Sequence, residues 1–200
     1  MIFVIASNNE KKIRELDRIL SPLGIYAKTA EQLGTELDEV EETGKTFAEN
    51  AELKAKAACE KTGYPAIADD SGLVVDALDG RPGVLSARYA GEGATDEEKI
   101  NKLLEEMRAC GSSDRSARFE CVLCCYFPNG ETLFASGRCE GSIGYAPRGN
   151  NGFGYDPIFF IEGNKTFAEI SDHQKDLISH RGRALKELAA VLKKKYDVKG

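Results

Sequence analysis

The apolar run Ala66-Ile67-Ala68 leads directly into two adjacent carboxylates, Asp69-Asp70-Ser71-Gly72. At the end of a buried run, one such carboxylate could hold a divalent cation or take a proton from water. Neighbours in a strand point to opposite faces, so the two need not serve one site. The same four residues are equally good turn chemistry. A second candidate is Ser7-Asn8-Asn9-Glu10-Lys11-Lys12, between an apolar run and a helical pattern. A helix N-terminus carries unpaired N–H groups and partial positive charge, which suits phosphate, and the lysines add cations. A plain capped helix with solvated lysines would look the same. Glu39, Glu41 and Glu42 precede a second helical segment, where carboxylates also simply favour the dipole. In that segment Asn50 and Lys54 lie four residues apart on one face. Later come Gly149 to Asp156, a glycine-rich stretch carrying Phe153, Gly154 and Tyr155, and then Lys175 and Ser179-His180-Arg181-Gly182. The former could pass close to a ligand and offer it an aromatic face. Histidine and arginine could donate to a carbonyl or phosphate oxygen. Each also fits ordinary structure: a glycine turn in one case, a solvated basic cap in the other.

The elements that must position these groups follow from periodicity. Residues 2–6 read as a buried strand. Residues 10–20 read as a helix with Ile13, Leu16 and Leu20 at helical spacing. Residues 45–62 carry Phe47, Ala51, Ala55 and Ala58 in one stripe, with Glu52 and Lys56 as an i,i+4 pair and Gly63 and Pro65 as the stop. A third helix over 95–109 has Thr95 as its cap and Glu98 completing a capping box. Residues 116–127 and 132–139 flank Pro128-Asn129-Gly130 and predict a long hairpin. Residues 149–157 predict irregular structure. Residues 180–196 predict a last helix, with Leu185, Leu188, Ala189, Leu192 and Tyr196 on one face and Ser179 as its cap. This order predicts one α/β domain over 1–200, an elongated mixed sheet with flanking helices, in two lobes with a ligand cleft between them.

Composition narrows the function classes. The formal net charge of −6 argues against a dedicated duplex-binding protein, which would be basic. It leaves room for a small polyanion met by local cations and a metal. No apolar run reaches bilayer length, and the first residues lack a signal-peptide pattern. The six cysteines are read as reduced thiols in a cytoplasmic chain rather than as a disulfide framework. Cys121, Cys124 and Cys125 do not read as zinc ligands, because a strand would send Cys124 to the face opposite the other two.

Taken in order, the motifs resemble the inosine/xanthosine triphosphate pyrophosphatase family. The matching stretches are SNNEKK (7–12), EETGKTFAENAELKA (41–55), PAIADDSGLVVDAL (65–78), PGVLSARYAG (82–91), ARFECVL (117–123), GFGYDPIF (152–159) and ISHRGRAL (178–185). They run from the first strand to the last helix. The resemblance implies hydrolysis of ITP, dITP and XTP to the monophosphate and pyrophosphate, with Mg2+ as cofactor, in a homodimer. It implies that Ser7, Asn8, Asn9, Glu10, Lys11 and Lys12 hold the triphosphate. Asp70 takes the position of the general base, and Glu41 with Asp70 that of the metal ligands. Glu42, Asn50, Lys54 and Asp69 support the metal–phosphate region, and Ser71 touches the nucleotide. Phe153, Gly154, Tyr155, Asp156, Lys175, His180 and Arg181 surround the base. A 6-oxo purine would accept hydrogen bonds from His180 and Arg181 where adenine offers a donor. Such a mismatch can discriminate by factors up to about 10⁴–10⁵. The alternatives are a related pyrophosphatase for pyrimidine or modified canonical nucleotides, and a non-catalytic nucleotide or RNA binder using the basic clusters at 11–12 and 193–195.

Overall fold

The computed structural model describes residues 2–7 and 9–196; Asn8 and the side chains of Leu23 and Tyr196 lie outside it. The chain is an α/β protein built on a seven-stranded sheet. The strands are β1 (Ile2–Ile5), β2 (Tyr26–Thr29), β3 (Ala66–Val75), β4 (Ser116–Tyr126), β5 (Thr132–Ile143), β6 (Phe159–Ile161) and β7 (Lys165–Thr166), in the order β2-β1-β3-β4-β5-β6-β7. β1 runs parallel to both β2 and β3, and β6 antiparallel to β5 and β7, so the sheet is mixed. The link between the neighbours β4 and β5, closed by Gly130 N–H to the Phe127 carbonyl, is too short for a parallel crossover.

Two compact units make up the chain. The first holds 1–70, 121–137 and 181–200; the second holds 71–120 and 138–180. β3, β4 and β5 contribute residues to both.

In the first unit, helices α1 (Glu10–Leu20) and α5 (His180–Tyr196) share one apolar layer, and α2 (Phe47–Thr62) forms another. Strand alternation sorts the side chains between them. Phe3, Ile5 and Ile67 join the layer with Leu16, Leu20, Leu185, Leu188 and Leu192. Val4, Ala6, Ala66 and Ala68 join Ala51, Ala55 and Ala58 of α2. The cysteines of β4 obey the same rule: Cys121 and Cys125 fall in the first layer, Cys124 in the second. Burial pushes the Cys124 thiol up to about 12, which suits packing rather than reactivity.

The second unit packs α3 (Asp96–Ala109) and α4 (Asp172–Ile178) with a core that includes Leu73, Leu103, Met107, Phe119, Phe159 and Phe167.

Local signals explain the helix limits. Asn9 caps α1 by accepting from the N–H groups of Lys11 and Lys12. Thr46 with Glu49, and Thr95 with Glu98, form complete capping boxes on α2 and α3. Gly63 stops α2 with φ of 73°. Two expectations need correction. Lys56 pairs with Glu60, not Glu52; the two acids lie one turn to either side of an exposed lysine, where such pairs are weakly held. The turn alternative for Asp69-Asp70-Ser71-Gly72 also fails. These residues lie inside the ten-residue β3, and the carboxylates of Asp69 and Asp70 are met by side chains from helices rather than by a turn.

Candidate active site

β3 delivers two carboxylates to opposite faces of the sheet, and each meets a different cation. Both are buried, Asp69 at 2% exposure and Asp70 at 5%. Ionised carboxylates in such places require charge partners.

Asp70 faces α2. Its Oδ1 lies 2.9 Å from the Lys54 ammonium, and its Oδ2 accepts from the Asn50 amide at 3.3 Å. Lys54 also donates to Glu42 Oε1 at 2.8 Å, so one cation is shared between two carboxylates. Asn50 does a second job: its Oδ1 accepts the Gly44 N–H at 2.8 Å and so fixes the segment that carries Glu41 and Glu42. A Cβ on Gly44 would stand 2.5 Å from that same Oδ1, which is why the position needs glycine. Burial pushes the Asp70 carboxyl above its ordinary value. Lys54 pulls it down, and the negative charge of Glu42 pushes it up again. Burial alone would lower the Lys54 ammonium; Asp70, Asp69 and Glu42 more than offset this and hold it above its usual value. The outcome is a proton acceptor with a raised affinity beside a cation that stays charged.

Asp69 faces α1 and α5. Its Oδ2 lies 3.1 Å from Lys12 Nζ and accepts from Arg181 Nη2 at 3.0 Å and Nε at 3.3 Å. Arg181 Nη1 also donates to Glu15 on α1. Burial disfavours the Arg181 charge, but Asp69 and Glu15 hold its pKa above the usual value. Sequence reasoning missed Glu15. The available signal was its position three residues after Lys12, on the same face of α1 and next to the core residue Leu16.

The amino-terminal segment behaves partly as expected. Lys12 reaches the buried Asp69. The N–H groups of Lys11 and Lys12 are already taken by Asn9 Oδ1 at 3.0 and 3.2 Å, so phosphate there would be met by side chains or would displace that amide. Ser7 Oγ accepts the Asn9 N–H, and Glu10 pairs with Arg14. Glu10, Lys11 and Glu41 are exposed.

In the second unit, Asp156 Oδ2 accepts the Phe153 N–H at 2.9 Å and holds the Lys175 ammonium at 2.7 Å. That ammonium lies 4.7 Å from the centroid of the Phe153 ring, a cation–π contact. Gly152 has φ of 75°, and a Cβ there would collide with the Asp156 carboxylate. Tyr155 donates to the Ser86 carbonyl at 3.0 Å, and burial raises its phenol. His180 stacks on Phe119 with centroids 4.7 Å apart. Ser71, partly buried, follows Asp70 along β3.

The donors around Asp70 are hard oxygens, which suit Mg2+. Among the described residues no group of three or more His, Cys, Asp and Glu side chains converges on a metal position. A Mg2+ site would need one or two carboxylates, with water and substrate phosphate completing the shell. Asp70 and Glu42, already sharing the cation of Lys54, fit that demand, with Glu41 adjacent in sequence.

The Ham1 family model matches residues 3–191. A dITP/XTP pyrophosphatase from Exiguobacterium sp. is 48% identical over 193 residues, 96% of this chain and 97% of the relative. One from Shigella flexneri is 50% identical over 194 residues, 95% and 97% of the two chains. The solved structure of a HAM1 protein from Coxiella burnetii matches at 46% identity with a TM-score of 0.89, covering 97% of this chain and 99% of that one.

Proposed function

The chain belongs to the Ham1 family, and from that premise we propose that it hydrolyses dITP, ITP and XTP to the monophosphate and pyrophosphate. The observation that carries the proposal is the pair of buried carboxylates on β3. Asp70 is held by Lys54 and Asn50, and Asp69 by Lys12 and Arg181. The curated relatives just described carry the name dITP/XTP pyrophosphatase.

The mechanism follows from the charges. Asp70 accepts a proton from a water molecule as that oxygen attacks the α-phosphorus. The bond from the α-phosphorus to the bridging oxygen breaks, and pyrophosphate leaves with the electron pair. Lys12 and Lys54 offset charge on the transferring and leaving groups, which is the main demand of phosphoryl transfer. Ser7, Asn8, Asn9, Glu10 and Lys11 complete the phosphate segment. Mg2+, held by Asp70 with Glu41 or Glu42, would neutralise phosphate charge when bound. Ser71 is proposed to touch the nucleotide. For the base we propose the Phe153 ring as a stacking face, with Gly154, Tyr155, Asp156 and Lys175 shaping its surroundings. His180 and Arg181 are the proposed donors to the 6-oxygen, Arg181 being pre-set by Asp69 and Glu15. The protein would act in the cytoplasm as a homodimer. Among the described residues no helix is long and apolar enough to cross a membrane.

The test is incubation of the purified protein with dITP, XTP and the canonical triphosphates under Mg2+, detecting pyrophosphate and orthophosphate separately. Pyrophosphate from dITP and XTP, with little from ATP, is expected. Equal rates on all triphosphates would overturn the substrate assignment.

A further inference from the structure

The segment Pro82–Gly91 and the start of α3 take no part in the chemistry above, yet both reach the glycine-rich loop at 152–156. Tyr155 of that loop donates to the Ser86 carbonyl, and Ser86 is itself buried, its Oγ donating to the Gly83 carbonyl and accepting the Leu73 N–H. Gly154 N–H donates to Asp96 Oδ2 at 2.7 Å. The other oxygen of Asp96 lies 2.8 Å from Lys99, one turn along α3.

The acids of α3 have distinct duties. Glu98 closes the capping box with Thr95, and Glu106 is engaged by Arg81 and by the Tyr89 hydroxyl. Asp96 is the acid turned to the loop. Gly154 needs help of this kind, because its φ of 61° is in the left-handed region and a glycine there has wide conformational freedom. Phe153 N–H is fixed by Asp156 at 2.9 Å, so two successive amides of the loop end on carboxylates from different elements. A bond to a charged acceptor is stronger than a neutral one, and the Lys99 ion pair limits the rotamers of that acceptor.

Resting on the assignment of Phe153 as the base-stacking face, we propose that Asp96 is a positioning residue for purine recognition: by holding the Gly154 amide it sets the height and tilt of the Phe153 ring over Lys175. It acts through the loop and touches neither phosphate nor the reacting atoms. Its loss therefore changes how well a purine is held and selected, not the rate at which a held one is cut.

The experiment measures kcat and KM for dITP and ATP in four variants, with amide hydrogen exchange of the 152–156 segment. Asp96→Ala is expected to raise KM for dITP about tenfold, the loss of one hydrogen bond to a charged acceptor, with kcat within about twofold. The dITP-to-ATP ratio of kcat/KM should narrow, and the segment should exchange faster. Asp96→Asn keeps an oxygen that can accept the Gly154 N–H, now uncharged, and should restore KM and protection in part, to values between those of Asp96→Ala and wild type. Lys99→Ala removes the ion pair but leaves the Asp96 carboxylate able to accept the Gly154 N–H, and should raise KM by less than Asp96→Ala does. Phe153→Ala reports on the base-stacking assignment itself. A raised KM in Phe153→Ala with none in Asp96→Ala overturns the role of Asp96 alone. Unchanged KM in both overturns the stacking assignment and the role of Asp96 with it. An Asp96→Ala protein that loses kcat and stability together, with its dITP-to-ATP ratio intact, also refutes the proposal.

Discussion

Adjacent carboxylates on one strand should give opposite stability responses when neutralised. Asp69 lies 3.0 Å from Arg181 and 3.1 Å from Lys12, and the side chains of Asp69 and Arg181 are 1% and 3% exposed. At an effective dielectric of about 20, each contact carries roughly 5 kcal/mol of gross attraction, much of it cancelled by desolvation. What remains is visible when one partner is removed, because the other is left buried: about 3–5 kcal/mol. Glu15 still compensates Arg181, so the lower end applies to Asp69→Asn. For a chain of this size about 3 kcal/mol lowers Tm by roughly 6–12 °C. Asp70→Asn should do the reverse. The folded state raises the Asp70 carboxyl through burial and Glu42. Between its ordinary value and that raised value, the folded protein binds more protons than the unfolded one. Stability therefore falls as pH rises through this window, and the ionised group is a net cost at neutral pH. Asparagine removes that cost, and Lys54 keeps Glu42. Scanning calorimetry and urea unfolding of both metal-free variants at pH 7.5 would check this. The expected result is a large drop in Tm for Asp69→Asn and a Tm at or above wild type for Asp70→Asn, the latter gap closing toward low pH. A loss below about 1 kcal/mol for Asp69→Asn, the range of an exposed pair, would refute the buried-network account.

Other outcomes follow from the same geometry. Turnover of dITP should fall at low pH, because Asp70 must be ionised to accept a proton; a rate that stays constant as carboxylates are protonated would remove Asp70 from that role. Lys54→Met should lower kcat/KM by roughly 10²–10³, the scale of one lost charge-stabilising group, and a change below about threefold in steady-state assays would contradict its placement. Removal of divalent cations with EDTA should abolish turnover and Mg2+ should restore it, whereas EDTA-resistant turnover would exclude a metal requirement. Arg181→Ala should narrow the ITP-to-ATP ratio of kcat/KM and also lower Tm, since the side chain holds buried carboxylates and is the proposed donor to the base; an unchanged ratio would move base reading elsewhere.

Local chemistry made much of this legible in sequence. Period-two alternation placed Cys124 opposite Cys121 and Cys125, because strand geometry leaves little choice. The Thr95–Glu98 box and the Ala51/Ala55/Ala58 stripe were readable for the same reason: their partners are a turn away. What escaped depended on distant partners. Asp69-Asp70-Ser71-Gly72 looks like a turn until helices on either face supply Lys12, Arg181, Asn50 and Lys54 to its side chains. Glu15 and Arg181 meet across a sequence separation of 166, which no local pattern encodes. α4 escaped notice although Ser171 and Gln174 spell its capping box, since seven residues are too few to show a helical period. The short strands β2, β6 and β7 likewise exist through their neighbours in the sheet rather than through their own pattern.

The most direct measurement is single-turnover hydrolysis of dITP under Mg2+ by the wild type and by Asp70→Asn, with pyrophosphate and orthophosphate quantified separately. One pyrophosphate per dITP and no orthophosphate are expected from the wild type, with a rate roughly 10²–10⁴-fold lower in a variant that remains folded. Orthophosphate as the product, or a near-normal rate without the Asp70 carboxylate, would contradict proton transfer to Asp70 at the α-phosphorus.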